Sequence, residues 1–140
     1  MHAPSIDRAR MVYLAAPFSR YHEVVNIRTK LRALGFKCDP SWLRAAEQLH
    51  GVDTADPPDA RKAYQDNARD ILLADVVLVL VYAGEGQMAF CEAQYAHEKR
   101  VPHHWLRMHG CRKLPLLAHA FGDVHETLEA AVRAFRMAGA

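Results

Sequence analysis

The chain has 140 residues, 51% of them apolar, and a formal charge of +2 from 18 Lys and Arg against 16 Asp and Glu. That length predicts one domain, 1–140, with room for a core, and scattered charges without a basic stripe of interleaved aromatics exclude a nucleic-acid surface. The longest apolar run, 76–83, is too short to span a bilayer. The N-terminus lacks an apolar segment followed by a cleavage site, so no secretory signal is expected. Cys38, Cys91 and Cys111 are odd in number and far apart, which argues against a disulfide framework and for a reducing cytoplasm.

In chain order, 10–16 reads as a first strand, stopped by Pro17, which cannot donate to a sheet ladder. From Tyr21 to Leu34, Val24, Val25, Ile27, Leu31 and Leu34 recur at helical spacing, and Gly35 ends that helix. Residues 36–38 form a short second strand closed by Asp39-Pro40. The stretch 41–47 fits a short helix, and 53–59, with its two prolines, a long loop. A helix runs from about Pro58 to Leu73, with a proline in its first turn. The apolar, β-branched run 75–82 is a third strand, and 87–99 is the helix behind it. Residues 100–106 give a fourth strand, placed at an edge or strand start by Pro102. Residues 114–121 form a weak fifth strand. The last helix starts at Asp123 as N-cap, with Glu126 at capping-box spacing and a stripe of Val124, Leu128, Ala131, Val132 and Phe135. This alternation predicts an α/β fold, a single doubly wound, flavodoxin/Rossmann-like domain with a mostly parallel sheet of about five strands.

In such sheets, ligands sit beyond the carboxyl ends of the strands. Tyr13, the turn 17–19 and Glu92 therefore converge on one crevice, where Glu92 is a candidate nucleophile. Its position early in a helix predicts a dipole that favours the ionised form. Ser19 and Arg20, at the start of the first helix, fit either a 5′-phosphate site or an N-cap with a solvated Arg. Trp42 fits either a base-stacking platform or a packed indole. Glu85 and Gln87, in the turn before Glu92, are candidates to hold a sugar hydroxyl. His103, His104, His109 and Cys111 fit no zinc spacing, so no metal is expected, and no dinucleotide or ATP motif is present.

Tyr13-Leu14-Ala15-Ala16-Pro17-Phe18, the segment 66–81, and Cys91-Glu92-Ala93-Gln94-Tyr95-Ala96 running to Lys99-Arg100-Val101-Pro102 together resemble the nucleoside 2-deoxyribosyltransferase family, which includes related nucleotide N-glycosidases. The resemblance covers about 10–106. It implies cleavage of the N-glycosidic bond of a nucleoside or nucleotide, with Glu92 as nucleophile and Tyr13 positioning it or the sugar. It implies no cofactor, and a homo-oligomer whose neighbouring subunit completes the pocket, with 114–121 as a contact. Ala16, Pro17, Phe18, Ser19, Arg20, Trp42, Gly86, Gln87 and Met88 are the implied substrate-binding set. An acid should face Glu92 to release the base. The family carries Asp at the position of Asn67, eight residues before Asp75, so Asp66, Asn67 or Asp70 must serve here. Gln94 stands where the family has Gly. Both departures motivate an alternative, a nucleotide-binding module that keeps the fold and lacks the chemistry.

Overall fold

A computed structural model describes residues 10–49 and 60–138. Four strands, β1 (Val12–Ala15), β2 (Val76–Val81), β3 (His103–Arg107) and β4 (Asp123–His125), form one all-parallel sheet in the order β1-β2-β3-β4. Among the described residues six α-helices accompany them: α1 (Tyr21–Ala33), α2 (Ser41–Gln48), α3 (Ala60–Leu73), α4 (Gln87–Glu98), α5 (Leu116–Phe121) and α6 (Leu128–Ala138). The predicted strand at 36–38 is reduced to a single parallel bridge, Met11 to Lys37, on the open side of β1. The chain thus passes to one side of β1 and then returns to β2 on the other, which creates a reversal of direction between these two strands.

Strand alternation builds two layers. Val12, Leu14, Val76, Leu78 and Leu80 face one way, onto Val24, Ile27 and Leu31 of α1 and Ala131, Val132 and Phe135 of α6. Tyr13, Ala15, Val77, Val79 and Val81 face the other, onto Ile71 of α3 and Ala89, Ala93 and Ala96 of α4. Every residue of β2 is buried, as expected of a central parallel strand covered on both faces. The three alanines let α4 lie close against the sheet, and this brings its next residues over β1.

Two helix ends show why the chain turns where it does. After α1, Gly35 takes φ +96°, while its N–H and that of Phe36 donate to the carbonyls of Arg32 and Leu31, a Schellman ending. After α4, Arg100 takes the same role at φ +62°, with the N–H groups of Arg100 and Val101 on His97 and Ala96. There a side chain occupies a conformation that usually favours glycine.

The C-terminal third departs from expectation. Residues 114–121 are not a strand: they contain no β-branched residue, and Pro115 sits at the N-cap of α5. The last strand is instead β4, so Asp123 opens a strand and is not the cap of α6. Thr127 holds that position, its Oγ1 accepting from the N–H of Ala130 at 3.1 Å. The predicted loop at 53–59 and the start of a helix at Pro58 lie outside the described residues.

Candidate active site

Ala15 ends β1 and Val81 ends β2, and the two strands are paired in register, Tyr13 opposite Val77. Beyond β2 the chain turns through Gly84 and Gly86 into α4. Gly86 has φ +101°, and a Cβ there would meet the Pro17 ring at 3.5 Å. A glycine is favoured there on conformational grounds alone, since 3.5 Å is an ordinary contact. Tyr13 projects from β1 into the layer beneath α4. Its hydroxyl donates to Glu92 Oε2 at 2.6 Å, linking residues 79 apart in the chain. The expected crevice shared by Tyr13, the turn 17–19 and Glu92 is not formed by the cavities of the described residues: Tyr13 and Glu92 meet by this hydrogen bond but line different ones.

Burial is the largest influence on Glu92 and pushes its carboxyl up to about 7; the Tyr13 hydroxyl pulls it down and the Asp70 charge pushes it up. The expected helix-dipole effect does not prevail. Glu92 lies more than one turn beyond Gln87, where the dipole has faded. Tyr13 is raised well above its usual value, by burial and then by the adjacent carboxylate, so it remains a proton donor. A carboxylate that titrates near neutrality beside a fixed phenol fits a nucleophile or an acid–base group.

Glu92 borders a cavity of about 80 Å³ between α3 and α4. Tyr64, Asn67, Ala68 and Ile71 line it from α3, and Met88, Cys91, Glu92 and Tyr95 from α4. Both sets follow the spacing i, i+3, i+4, i+7, the signature of one helix face. That signature was present in the sequence and identifies Tyr64, Cys91 and Tyr95, which reasoning from motifs missed. Tyr64 and Met88 are 64% and 60% exposed and form the rim. Larger grooves of about 680 and 660 Å³ lie along β3 and α6 and touch neither Tyr13 nor Glu92, and one of about 230 Å³ is lined by Tyr13 and Asp70 without Glu92.

The remaining expected residues divide. Asn67 shares the cavity with Glu92. Asp66 is not a free acid: Lys62 Nζ approaches it at 2.7 Å and Arg69 Nη2 at 3.0 Å, and the Lys62 contact, ahead of the Arg69 charge, lowers its pKa. Asp70 accepts from the backbone N–H of Ser41 at 2.8 Å and from its hydroxyl at 2.6 Å, capping α2 from another helix. It acts on Glu92 only through its charge.

Arg20 takes the N-cap position of α1 without a side-chain cap bond, Ser19 stands exposed just before it, and both reach Glu85. Ser19 Oγ donates to Glu85 Oε1 at 2.6 Å, and Arg20 meets Glu85 Oε2 through Nε at 2.9 Å and Nη2 at 2.7 Å. Trp42 donates its indole N–H to the Leu14 carbonyl at 2.8 Å, on the open side of β1, with Phe18 at 6.4 Å between ring centroids. This fixes Trp42 as packing for the strand end. Ala16 is buried with the α1 layer, whereas Gln87 and Met88 are exposed at the start of α4.

His103 and His104 point to opposite layers. His103 accepts from Trp105 Nε1 at 2.9 Å and lies 3.2 Å from His97, while His104 lies 3.0 Å from His125. Burial lowers both imidazoles, which keeps them neutral. Among the described residues, no group of three or more His, Cys, Asp or Glu is arranged to hold a metal ion, and no helix is long and apolar enough to cross a membrane. No protein-family model matches the chain, and no curated protein matches it in sequence.

Proposed function

We propose that this chain is an N-glycosidic bond cleaving enzyme, a nucleoside 2-deoxyribosyltransferase or related N-glycosidase, in which Glu92 attacks the anomeric carbon. The observation that carries the reading is the 2.6 Å contact between Tyr13 and a Glu92 held near neutrality at the edge of a cavity. Breaking a C1′–N bond leaves positive charge on the sugar. An ionised carboxylate stabilises that charge and forms an ester with C1′ as the bond electrons leave with the base. Water or a second base then attacks C1′ and returns the carboxylate. Tyr13 keeps one carboxylate oxygen fixed so that the other faces the sugar.

The cavity has room for two or three waters. In this reading it takes the edge of a ring, and the rest of the substrate lies across Tyr64 and Met88. Asn67 is the group beside Glu92 that donates to the departing base, and a hydrogen bond replaces the proton that an acid would give. The reading includes a homo-oligomer in which a neighbouring copy covers this rim, with exposed Leu72, Leu116 and Phe121 as further apolar area. A light-scattering mass of one chain would remove that element. The engagement of Asp66 with Lys62 and Arg69 favours the second reading, a binding module without turnover.

The deciding experiment is incubation with deoxynucleosides and deoxynucleotides, with and without an acceptor base, followed by measurement of free or exchanged base. Turnover supports the enzyme, and binding without turnover supports the module. The pH profile carries its own prediction. The nucleophile must be ionised, so activity rises with pH through the Glu92 value of about 7. Tyr13→Phe removes the hydrogen bond that lowers this value, so the acid limb moves to higher pH. The loss in kcat/KM should be about tenfold greater at pH 6.5 than at pH 9. An equal loss at both would show that Tyr13 does not tune Glu92.

A further inference from the structure

β3 opens on two adjacent histidines, and strand alternation sends them to opposite layers, each against a second histidine. The two pairs differ in one respect. An indole N–H can only donate, so the Trp105 bond at 2.9 Å fixes His103 Nδ1 as an acceptor. A neutral His103 therefore carries its proton on Nε2 and donates it to His97 Nδ1 at 3.2 Å. Each nitrogen between the indole and His97 has a single role. A proton added to His97 lands on Nδ1 and sets two N–H groups against each other. One added to His103 lands on its Nδ1 and opposes the Trp105 N–H in the same way. On the other face, His104 Nδ1 and His125 Nε2 lie 3.0 Å apart with no indole on them, and Asp123 Oδ2 is 3.8 Å from His104 Nδ1. That pair can hold one proton between its rings and keep its bond.

His97 also carries α5. Its ring lies 4.5 Å from that of Phe121, at 30° between planes, and Ala118 is the residue that α5 itself buries. An element with so little buried surface sits at the low end of local stability. We infer that His97, His103 and Trp105 form an acid-sensitive latch on α5: one proton on His97 parts it from His103, frees Phe121 and widens the groove of about 660 Å³ that α4, α5 and α6 border. The charged and titratable groups lining this groove beside the pair are Arg100 just past α4, His104 on β3 and Asp123 on β4, while α5 and α6 present Phe121, Ala134 and Met137. Arg100 opposes the proton and Asp123 favours it. Burial, ahead of the His97 charge, lowers the His103 imidazole from its ordinary 6.5, against the pull of Asp123. The folded chain then binds fewer protons here than the unfolded chain, so the latch weakens as pH falls below 6.5. None of this depends on the glycosidase reading.

Hydrogen exchange of the full chain, corrected for the intrinsic rate at each pH, reads the latch directly. Between pH 7.5 and pH 5, protection of α5 should fall at least about tenfold, while α1 keeps its protection. His97→Gln offers His103 an amide that does not titrate, and its α5 should be equally protected at both pH values. His97→Phe retains a ring against Phe121 without a titrating nitrogen, and serves the same purpose if the glutamine variant folds poorly. His125→Gln should show the wild-type fall, because its pair tolerates the proton. Four results would each overturn the inference: a wild-type α5 that stays protected at pH 5, a loss shared equally by α1, a loss that survives in the His97 variants, or a loss that His125→Gln abolishes.

Discussion

Replacing Glu92 with Gln or Ala should lower base release by at least about 10³-fold, as expected for the loss of a covalent nucleophile. The fold should survive, and for Gln it should become more stable in a defined pH range. The Glu92 carboxyl is raised in the folded chain to about 7 from an ordinary 4.5. Between these values the folded state holds a proton that the unfolded state has released, so wild-type stability falls as pH rises from about 4.5 through 7. Above pH 7 the buried charge costs up to about 3 kcal/mol. Glu92→Gln removes that cost while its amide oxygen still accepts from Tyr13. It should melt above wild type at pH 8 and close to it at pH 5, a trade of stability for a charged site. Equal melting at both values, together with undiminished base release, would remove Glu92 from the centre of this account.

The second large effect is structural. A Cβ on Gly122 would lie 2.4 Å from Trp105 Cδ1, 2.4 Å from Trp105 Nε1 and 3.0 Å from the Ala118 backbone. Trp105 cannot retreat: it is fully buried in β3, and its indole N–H is held by His103 Nδ1. Gly122→Ala should therefore cost about 3 kcal/mol, a drop in melting temperature of roughly 10 °C. The φ of Gly122 is −95° and suits any residue, so the cost comes from the contact alone. A drop of only a degree or two would mean that α5 shifts to make room.

The parts of this molecule that were legible in the sequence are those set by local pattern. The apolar run of β2, the helical stripe of α1 and the order of alternation gave the α/β class, and the same pattern put the Tyr13 phenol within reach of the Glu92 carboxylate; the cavity beside Glu92 instead lies between α3 and α4. The error at 114–125 arose because β4 is only Asp123-Val124-His125, with no apolar run to mark it, while Asp123 and Glu126 mimic a capping box. Asp66 could have been read correctly, since Lys62 and Arg69 stand four before and three after it on one helix. Asp70 could not, because its partner Ser41 is 29 residues away. The same is true of Glu85, which meets Ser19 and Arg20 across the sheet, 66 and 65 residues distant. The Glu92 value near neutrality was hidden as well, because it reflects burial that only the packing of α3 on α4 creates.

The most direct test is mass spectrometry of the protein quenched in acid during reaction with a deoxynucleoside. A deoxyribosyl adduct on the peptide containing Glu92, absent from Glu92→Gln, is the predicted result. Base release that proceeds at full rate with the added sugar mass on another residue would contradict the account.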